Sequence, residues 1–119
     1  AAHYKLDNLT AFLDYNGLEI DGDITKVKNS LPIDKSFEAF NWHVIHIDAH
    51  DFEQIKAAVE EAKQTKGMPT LVLAKSVKGK GVSFMEGQAA WHGAAPNDEQ
   101  YAQAISELDA YIENLGGDK

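Results

Sequence analysis

The sequence predicts an α/β fold built on a parallel sheet. Three observations carry that prediction. Strand-like and helix-like stretches alternate along the chain, the pattern that yields parallel strands joined by crossovers. Thr70 to Ser76, TLVLAKS, is apolar at every central position, so both of its faces must be covered. Phe52, Ile55, Val59 and Ala62 recur at intervals of 3, 4 and 3, the repeat of a helix resting one side on a core.

Taken in order, Ala1 to Leu6 reads as the last turn of a helix, stopped by Asp7-Asn8. The chain opens without Met and is expected to begin inside a larger gene product. Leu9 to Tyr15 is short, apolar at its start and best read as a buried strand. Asn16-Gly17 ends it with a turn signal, and Asp21-Gly22 supplies a second. Residues 17 to 33 read as loop. Asp34 is placed to cap a short helix with Phe37 and Phe40 on one face. Trp42 to Asp48 has the β-branched content of a second strand. Asp51 and Gln54 have capping-box spacing before the Phe52 helix, which Gly67 and Pro69 end. The third strand, 70–76, leads into a Gly-rich loop over 77–96. At about 20 residues that loop is longer than connections usually are, which marks it as functional or disordered. Asn97 or Asp98 then caps a final helix whose expected buried stripe is Tyr101, Ile105, Leu108, Ile112 and Leu115, ended by Gly116-Gly117. Three strands are few for such a sheet, and an open edge exposes backbone donors and acceptors. Part of the domain is therefore expected to lie outside this chain.

Composition narrows the function classes. With 11 Lys and Arg against 19 Asp and Glu, the net charge is −8, which argues against a broad nucleic-acid or anionic-membrane surface. There is no cysteine, so disulfides, thiolate metal sites and Cys nucleophiles are excluded. No apolar run reaches membrane-spanning length, and no signal-peptide pattern opens the chain.

Asn16 sits just past the end of a strand, where open α/β sheets bind ligands. Its amide oxygen is a neutral, hard ligand suited to Mg²⁺ or Ca²⁺. A plain Asn-Gly turn or hairpin explains the same residues. Lys75, Lys78 and Lys80 around Gly79 and Gly81 suit a phosphate, or simply form a solvated basic loop. A P-loop is excluded, because Ala74 and Gly81 stand where it needs Gly and Ser or Thr. In Trp91-His92-Gly93 the His can meet a phosphate or shuttle a proton, or be an ordinary surface His. His43, His46 and His50 do not read as a zinc set, since 43 and 46 point to opposite faces of a strand. Asp21-Gly22-Asp23 fails as an EF-hand because Lys26 occupies the place of the required Gly.

Together, DYNGLEIDG (14–22), FNWHV (40–44), KSVKGKG (75–81) and WHGAAP (91–96) resemble, in order and in register, the thiamine-diphosphate-binding domain of the transketolase family. The likeness runs along nearly the whole chain, 1–119, and is strongest to the separate N-terminal subunit of two-subunit enzymes, whose ending Gly116 to Lys119 also matches. The resemblance implies a three-layer thiamine-diphosphate-binding fold, incomplete in this chain and forming the C-terminal part of that domain. It implies a cytoplasmic enzyme of the pentose phosphate pathway that moves a two-carbon ketol unit from a ketose phosphate to an aldose phosphate. The implied cofactors are thiamine diphosphate and Mg²⁺. Asn16 and the Leu18 carbonyl would ligate the Mg²⁺. Asn16, Lys78 and His92 would touch the cofactor, and His92 also the sugar. The family's Gly-Asp-Gly motif and channel histidines lie upstream of Ala1, and the acid that activates the cofactor lies in another domain. The chain is thus expected to work only in an oligomeric assembly with the remaining segments or a C-terminal subunit, and to lack activity alone. A deoxyxylulose-phosphate synthase, a dihydroxyacetone synthase or a non-catalytic α/β interaction module are the alternatives.

Overall fold

A computed structural model describes residues 1–116. Three parallel strands form the main sheet: β1 (Thr10–Tyr15), β4 (His43–Asp48) and β5 (Thr70–Lys75). Their spatial order is β1-β5-β4, so the last strand in the chain is the central one. Thr70, Leu71, Val72 and Ala74 of β5 are all buried, which is why that stretch reads as apolar on both faces. The register sets Thr10 and His43 against Thr70 and brings Tyr15 and Asp48 level with Lys75.

Helices lie on both faces of the sheet at β4, in keeping with the three-layer expectation, while Phe12 of β1 stays 51% exposed, so the buried strand expected over 9–15 is only partly covered here. Helix α3 (Phe52–Gln64) lies on one side, where Ala58 joins Ile47, Val72 and Ala74 in the core and Ile55 packs against them. Its entry is fixed by Asp51, whose carboxylate accepts from the Glu53 and Gln54 N–H groups at 2.9 and 3.2 Å. Gln54 reaches back to the Asp48 N–H at 2.9 Å rather than to the Asp51 N–H of a standard box. Phe52 is 83% exposed, so the core-facing stripe starts at Ile55. Helix α2 (Ile33–Ala39) lies on the other side, with Phe37 edge-on to Trp42 at 5.2 Å. The histidines of β4 divide accordingly. His43 bonds Glu61 of α3 at 2.7 Å, and His46 lies 3.6 Å from Asp34 of α2. His43 and His46 thus point to opposite faces of the sheet, as their spacing predicts.

Four further details differ from the sequence reading. Residues 17–33 are not all loop: β2 (Leu18–Glu19) and β3 (Gly22–Asp23) pair as a small antiparallel hairpin, followed by one turn of helix, α1 (Ile24–Val27). Pro32, not Asp34, occupies the N-cap of α2, and Phe40 is an exposed C-cap residue. Ala1 to Leu6 forms no helix. It does close like a helix C-terminus, with Lys5 N–H bonded to Ala2 C=O, Leu6 N–H to Ala1 C=O and a positive φ at Lys5. The largest difference concerns α4 (Asp98–Gly116). Its entry holds the reciprocal capping box, Gln100 N–H to Asn97 Oδ1 and Asn97 N–H to Gln100 Oε1, both 2.9 Å. The expected stripe is not buried, with Tyr101 60%, Ile112 63% and Leu115 63% exposed. Helix α4 meets the preceding loop through Leu108, which lies against Gly81, and through Glu107, which accepts from Ser83. Gly117 to Lys119, including the second glycine of the expected stop, lie outside the described residues.

Candidate functional site

The carboxyl ends of the three strands form one rim. Beyond it the departing segments stay tied together: Ser76 N–H donates to Tyr15 C=O at 3.0 Å, and Ala49 N–H to Lys75 C=O at 2.8 Å. Asn16 therefore leaves β1 beside the Ser76-Val77-Lys78 segment that leaves β5.

A cavity of about 350 Å³ opens there, lined by Asn16, Leu18, Glu19, Ile20, Asp21, Lys78 and His92. The four residues singled out in the sequence thus meet on one cavity, though 62 positions separate Asn16 from Lys78 in the chain. Asn16 and Lys78 are half-buried and His92 is exposed. The Asn16 side-chain oxygen accepts from the Leu18 N–H at 2.9 Å, an Asx turn. Gly17 completes that turn at φ +75°, and its carbonyl accepts from the Ile24 N–H at 3.0 Å. Turn and ligand readings of Asn16 are thus compatible: an amide oxygen has two lone pairs, and the turn uses one. Glu19 and Asp21 also line the cavity, and neither is marked for it by the sequence. Ile20 between them lines it too, and a two-residue strand followed by a turn has no period that sequence spacing can detect.

The 77–96 loop is ordered by consecutive turns. Gly79 adopts φ +72° where the chain folds against Met85, and Gly87 N–H closes the loop on Lys78 C=O at 2.9 Å. Val77 N–H donates to His50 Nε2 at 2.8 Å, so the His50 ring accepts here. The Glu86 carboxylate accepts from Gly81 N–H at 2.9 Å, which, with Lys80 nearby, holds its pKa below the ordinary glutamate value. Trp91 packs on Phe84 and donates to its carbonyl at 3.0 Å, setting the 3₁₀ turn Ala89–His92 that carries His92. Of the three lysines in KSVKGKG, only Lys78 faces the Asn16 cavity. Lys75 and Lys80 line a separate cavity of about 510 Å³ with Tyr15, His46, Asp48 and His50. Sequence spacing does not reveal that grouping, because it arises from the parallel register of β4 and β5.

The loop is anchored to α4 by Glu107, which accepts from Ser83 N–H at 2.6 Å and Ser83 Oγ at 2.7 Å. These bonds, with Gln103, lower the Glu107 pKa from its ordinary value. A depressed carboxylate pKa adds stability above the unfolded pKa, and that stability is lost as pH falls through the folded one. Amide exchange at Ser83 should therefore speed up as pH drops below the ordinary glutamate range, beyond the intrinsic pH trend. Glu107→Gln should show faster exchange already at pH 7. Unchanged protection in that variant would remove Glu107 as the anchor.

The donor set fits a hard dication only as a shared site. Asn16 and the Leu18 carbonyl offer neutral oxygens, and no group of three or more His, Cys, Asp or Glu able to hold a metal occurs among the described residues. An ion held there takes further ligands from phosphate, water, the carboxylates of Glu19 and Asp21 on the same cavity, or other protein segments. Lys78 and His92 on the same cavity suit a diphosphate beside it.

A family profile described as the transketolase, thiamine diphosphate binding domain matches residues 1–111. Among curated relatives, a 6-deoxy-6-sulfo-D-fructose transketolase subunit from Clostridium sp. (strain MSTE9) is 41% identical over 105 residues, covering 88% of this chain and 38% of that protein. An apulose-4-phosphate transketolase subunit from Phocaeicola vulgatus is 38% identical over 112 residues, covering 94% and 40%. The crystal structure of transketolase from Campylobacter jejuni subsp. jejuni superposes with a TM-score of 0.84 at 34% identity, over 92% of this chain and 17% of that one. The chain thus spans about two-fifths of the length of these two curated relatives. With a family profile covering all but its last eight residues and the same α/β architecture in a solved member, this chain belongs to the transketolase family, within its thiamine diphosphate binding domain.

Proposed function

We propose that this chain is part of a transketolase that transfers a two-carbon ketol unit from a ketose phosphate to an aldose phosphate, using thiamine diphosphate and Mg²⁺. The observation that supports it most is the convergence of Asn16, Leu18, Lys78 and His92 on one cavity at the sheet rim. In this reading the Asn16 amide oxygen and the Leu18 carbonyl hold the dication. Lys78 neutralises the diphosphate that shares it. His92, on its exposed turn, faces both the diphosphate and the incoming sugar. When bound, the cofactor supplies the carbanion stabilisation on which ketol transfer depends. The chain's own residues fix its diphosphate end and orient the sugar.

The working unit is proposed to be an oligomer of this chain with further transketolase segments or a C-terminal subunit, in the cytoplasm, acting in the pentose phosphate pathway. Two relatives are named as subunits, which supports a divided enzyme. Their names also specify a sulfo-sugar and apulose 4-phosphate, which widens the donor class to modified ketoses. Profiling donor and acceptor sugars on the complete enzyme separates these from the common pentose and hexose phosphates.

The test is His92→Ala in the complete assembly. Turnover should fall by about 10²-fold or more, on the scale of losing one positioned polar group. KM for the sugar should rise, and the melting temperature of the cofactor-free protein should hold. A fall in melting temperature with kinetics intact would make His92 structural and remove it from the site.

A further inference from the structure

The two segments that deliver Asn16 and Lys78 are joined by one side-chain contact that neither the turn nor the cavity requires. Asp14 lies two residues before Asn16, and Ser76 lies two residues before Lys78. The Ser76 hydroxyl donates to Asp14 Oδ1, across the gap between β1 and β5 and 62 positions apart in sequence. The Ser76 N–H, bonded to Tyr15 C=O, makes the contact two-point. Asp14 stands opposite Ala74 in the register and Ser76 is the first residue past β5, so the contact runs diagonally across the rim, beside the last backbone bond between the two strands. Beyond it the backbones diverge, one into the Asn16 turn and the other into the lysine loop. Without the hydroxyl contact, the two departing segments would rest at this point on the Ser76 N–H to Tyr15 C=O bond alone.

We infer that Asp14 and Ser76 are positioning residues: a cross-strand clamp that sets the Asn16 oxygen and the Lys78 ammonium at the spacing a dication–diphosphate pair demands. The inference rests on the proposed metal and cofactor reading of Asn16 and Lys78. Neither clamp residue lines the Asn16 cavity. Their effect must therefore pass through Asn16 and Lys78, as outer partners of metal ligands act through the ligands they orient.

The test uses the complete assembly and reads two quantities: the Mg²⁺ concentration for half-maximal thiamine diphosphate binding, by quenching of intrinsic fluorescence, and the melting temperature without cofactor. Ser76→Ala and Asp14→Ala should each raise the Mg²⁺ requirement by about 10- to 100-fold, the usual range for such partners. The cofactor-free melting temperature should move by no more than about 2 °C. The double variant should be no worse than either single, because each already breaks the same bond. Ser76→Thr keeps the hydroxyl and Asp14→Asn keeps an acceptor oxygen, so both should stay near the parent. These variants decide the matter if an alanine variant fails to fold. If Ser76→Ala and Asp14→Ala lower the melting temperature and leave the Mg²⁺ requirement alone, or if their effects add, the clamp is overturned. Asn16→Ala is the reference. If it weakens binding and Ser76→Ala does not, the clamp alone fails. If Asn16→Ala binds as the parent does, the metal reading fails and the clamp with it.

Discussion

Asn16→Ala in the complete assembly is expected to weaken Mg²⁺ and thiamine diphosphate binding together, each by at least about 10²-fold, or roughly 3 kcal/mol. The side chain has two tasks. Its oxygen accepts from Leu18 N–H at 2.9 Å, which fixes the turn that aims the Leu18 carbonyl. In the proposed site its second lone pair faces the dication. Alanine removes both, so the loss should exceed that of a single ligand. Asn16→Asp separates the two tasks. The carboxylate keeps the Leu18 bond and adds a charge, so it should restore Mg²⁺ binding while placing negative charge beside the diphosphate. Cofactor affinity should then recover less than metal affinity. An Asn16→Ala protein with unchanged cofactor affinity would leave Asn16 as a turn residue alone.

The legible parts of this chain are those where one physical cause dominates. Strand β5 is central, and burial on two faces writes an uninterrupted apolar run. Helix α3 rests on a core formed by residues of this chain, so its spacing of 3 and 4 reports a real contact. The Asp51 and Asn97 caps are local, set by a few neighbouring residues, and both form. The strand order β1-β5-β4 is not legible, because crossovers conceal which strand lies between the other two. The hairpin of β2 and β3 escapes detection because two-residue strands have no period to read.

Helix α4 shows the opposite case. Its spacing correctly marks an amphipathic helix, yet Tyr101, Ile112 and Leu115 stay exposed. Periodicity states that a face is apolar; it does not state what covers it. At the site, the sequence names Asn16, Leu18, Lys78 and His92 through resemblance, and geometry brings them to one cavity. Glu19 and Asp21 share that cavity without any spacing signal. The clamp between Asp14 and Ser76 is equally hidden, since it depends on the pairing of β1 with β5.

Gly79→Ala should be among the most damaging substitutions in the chain, although the residue carries no side chain and touches no ligand. A Cβ built on Gly79 would lie 2.6 Å from the Met85 Cβ and 2.7 Å from the Met85 backbone carbon and oxygen. Backbone cannot swing aside as the tip of a flexible side chain can. The Met85 segment is itself held, since Met85 N–H bonds Val82 C=O at 2.9 Å, as does Glu86 N–H at 3.0 Å. The φ of +72° adds a second cost, about 1–2 kcal/mol for a residue with a Cβ. With about 1–3 kcal/mol for the overlap, Gly79→Ala should destabilise the loop by roughly 2–5 kcal/mol. Gly17 provides the control. It has nearly the same φ, +75°, but nothing within 4 Å of a built Cβ, so Gly17→Ala should show only the conformational cost. Hydrogen exchange across 77–92 in the complete assembly should therefore rise much more in Gly79→Ala. Cofactor affinity should fall with it, because Lys78 is the adjacent residue and its carbonyl closes the loop on Gly87. Equal effects of the two substitutions on 77–92 exchange would show that close packing against Met85 does not hold the loop, and that its lysine is aimed by other contacts.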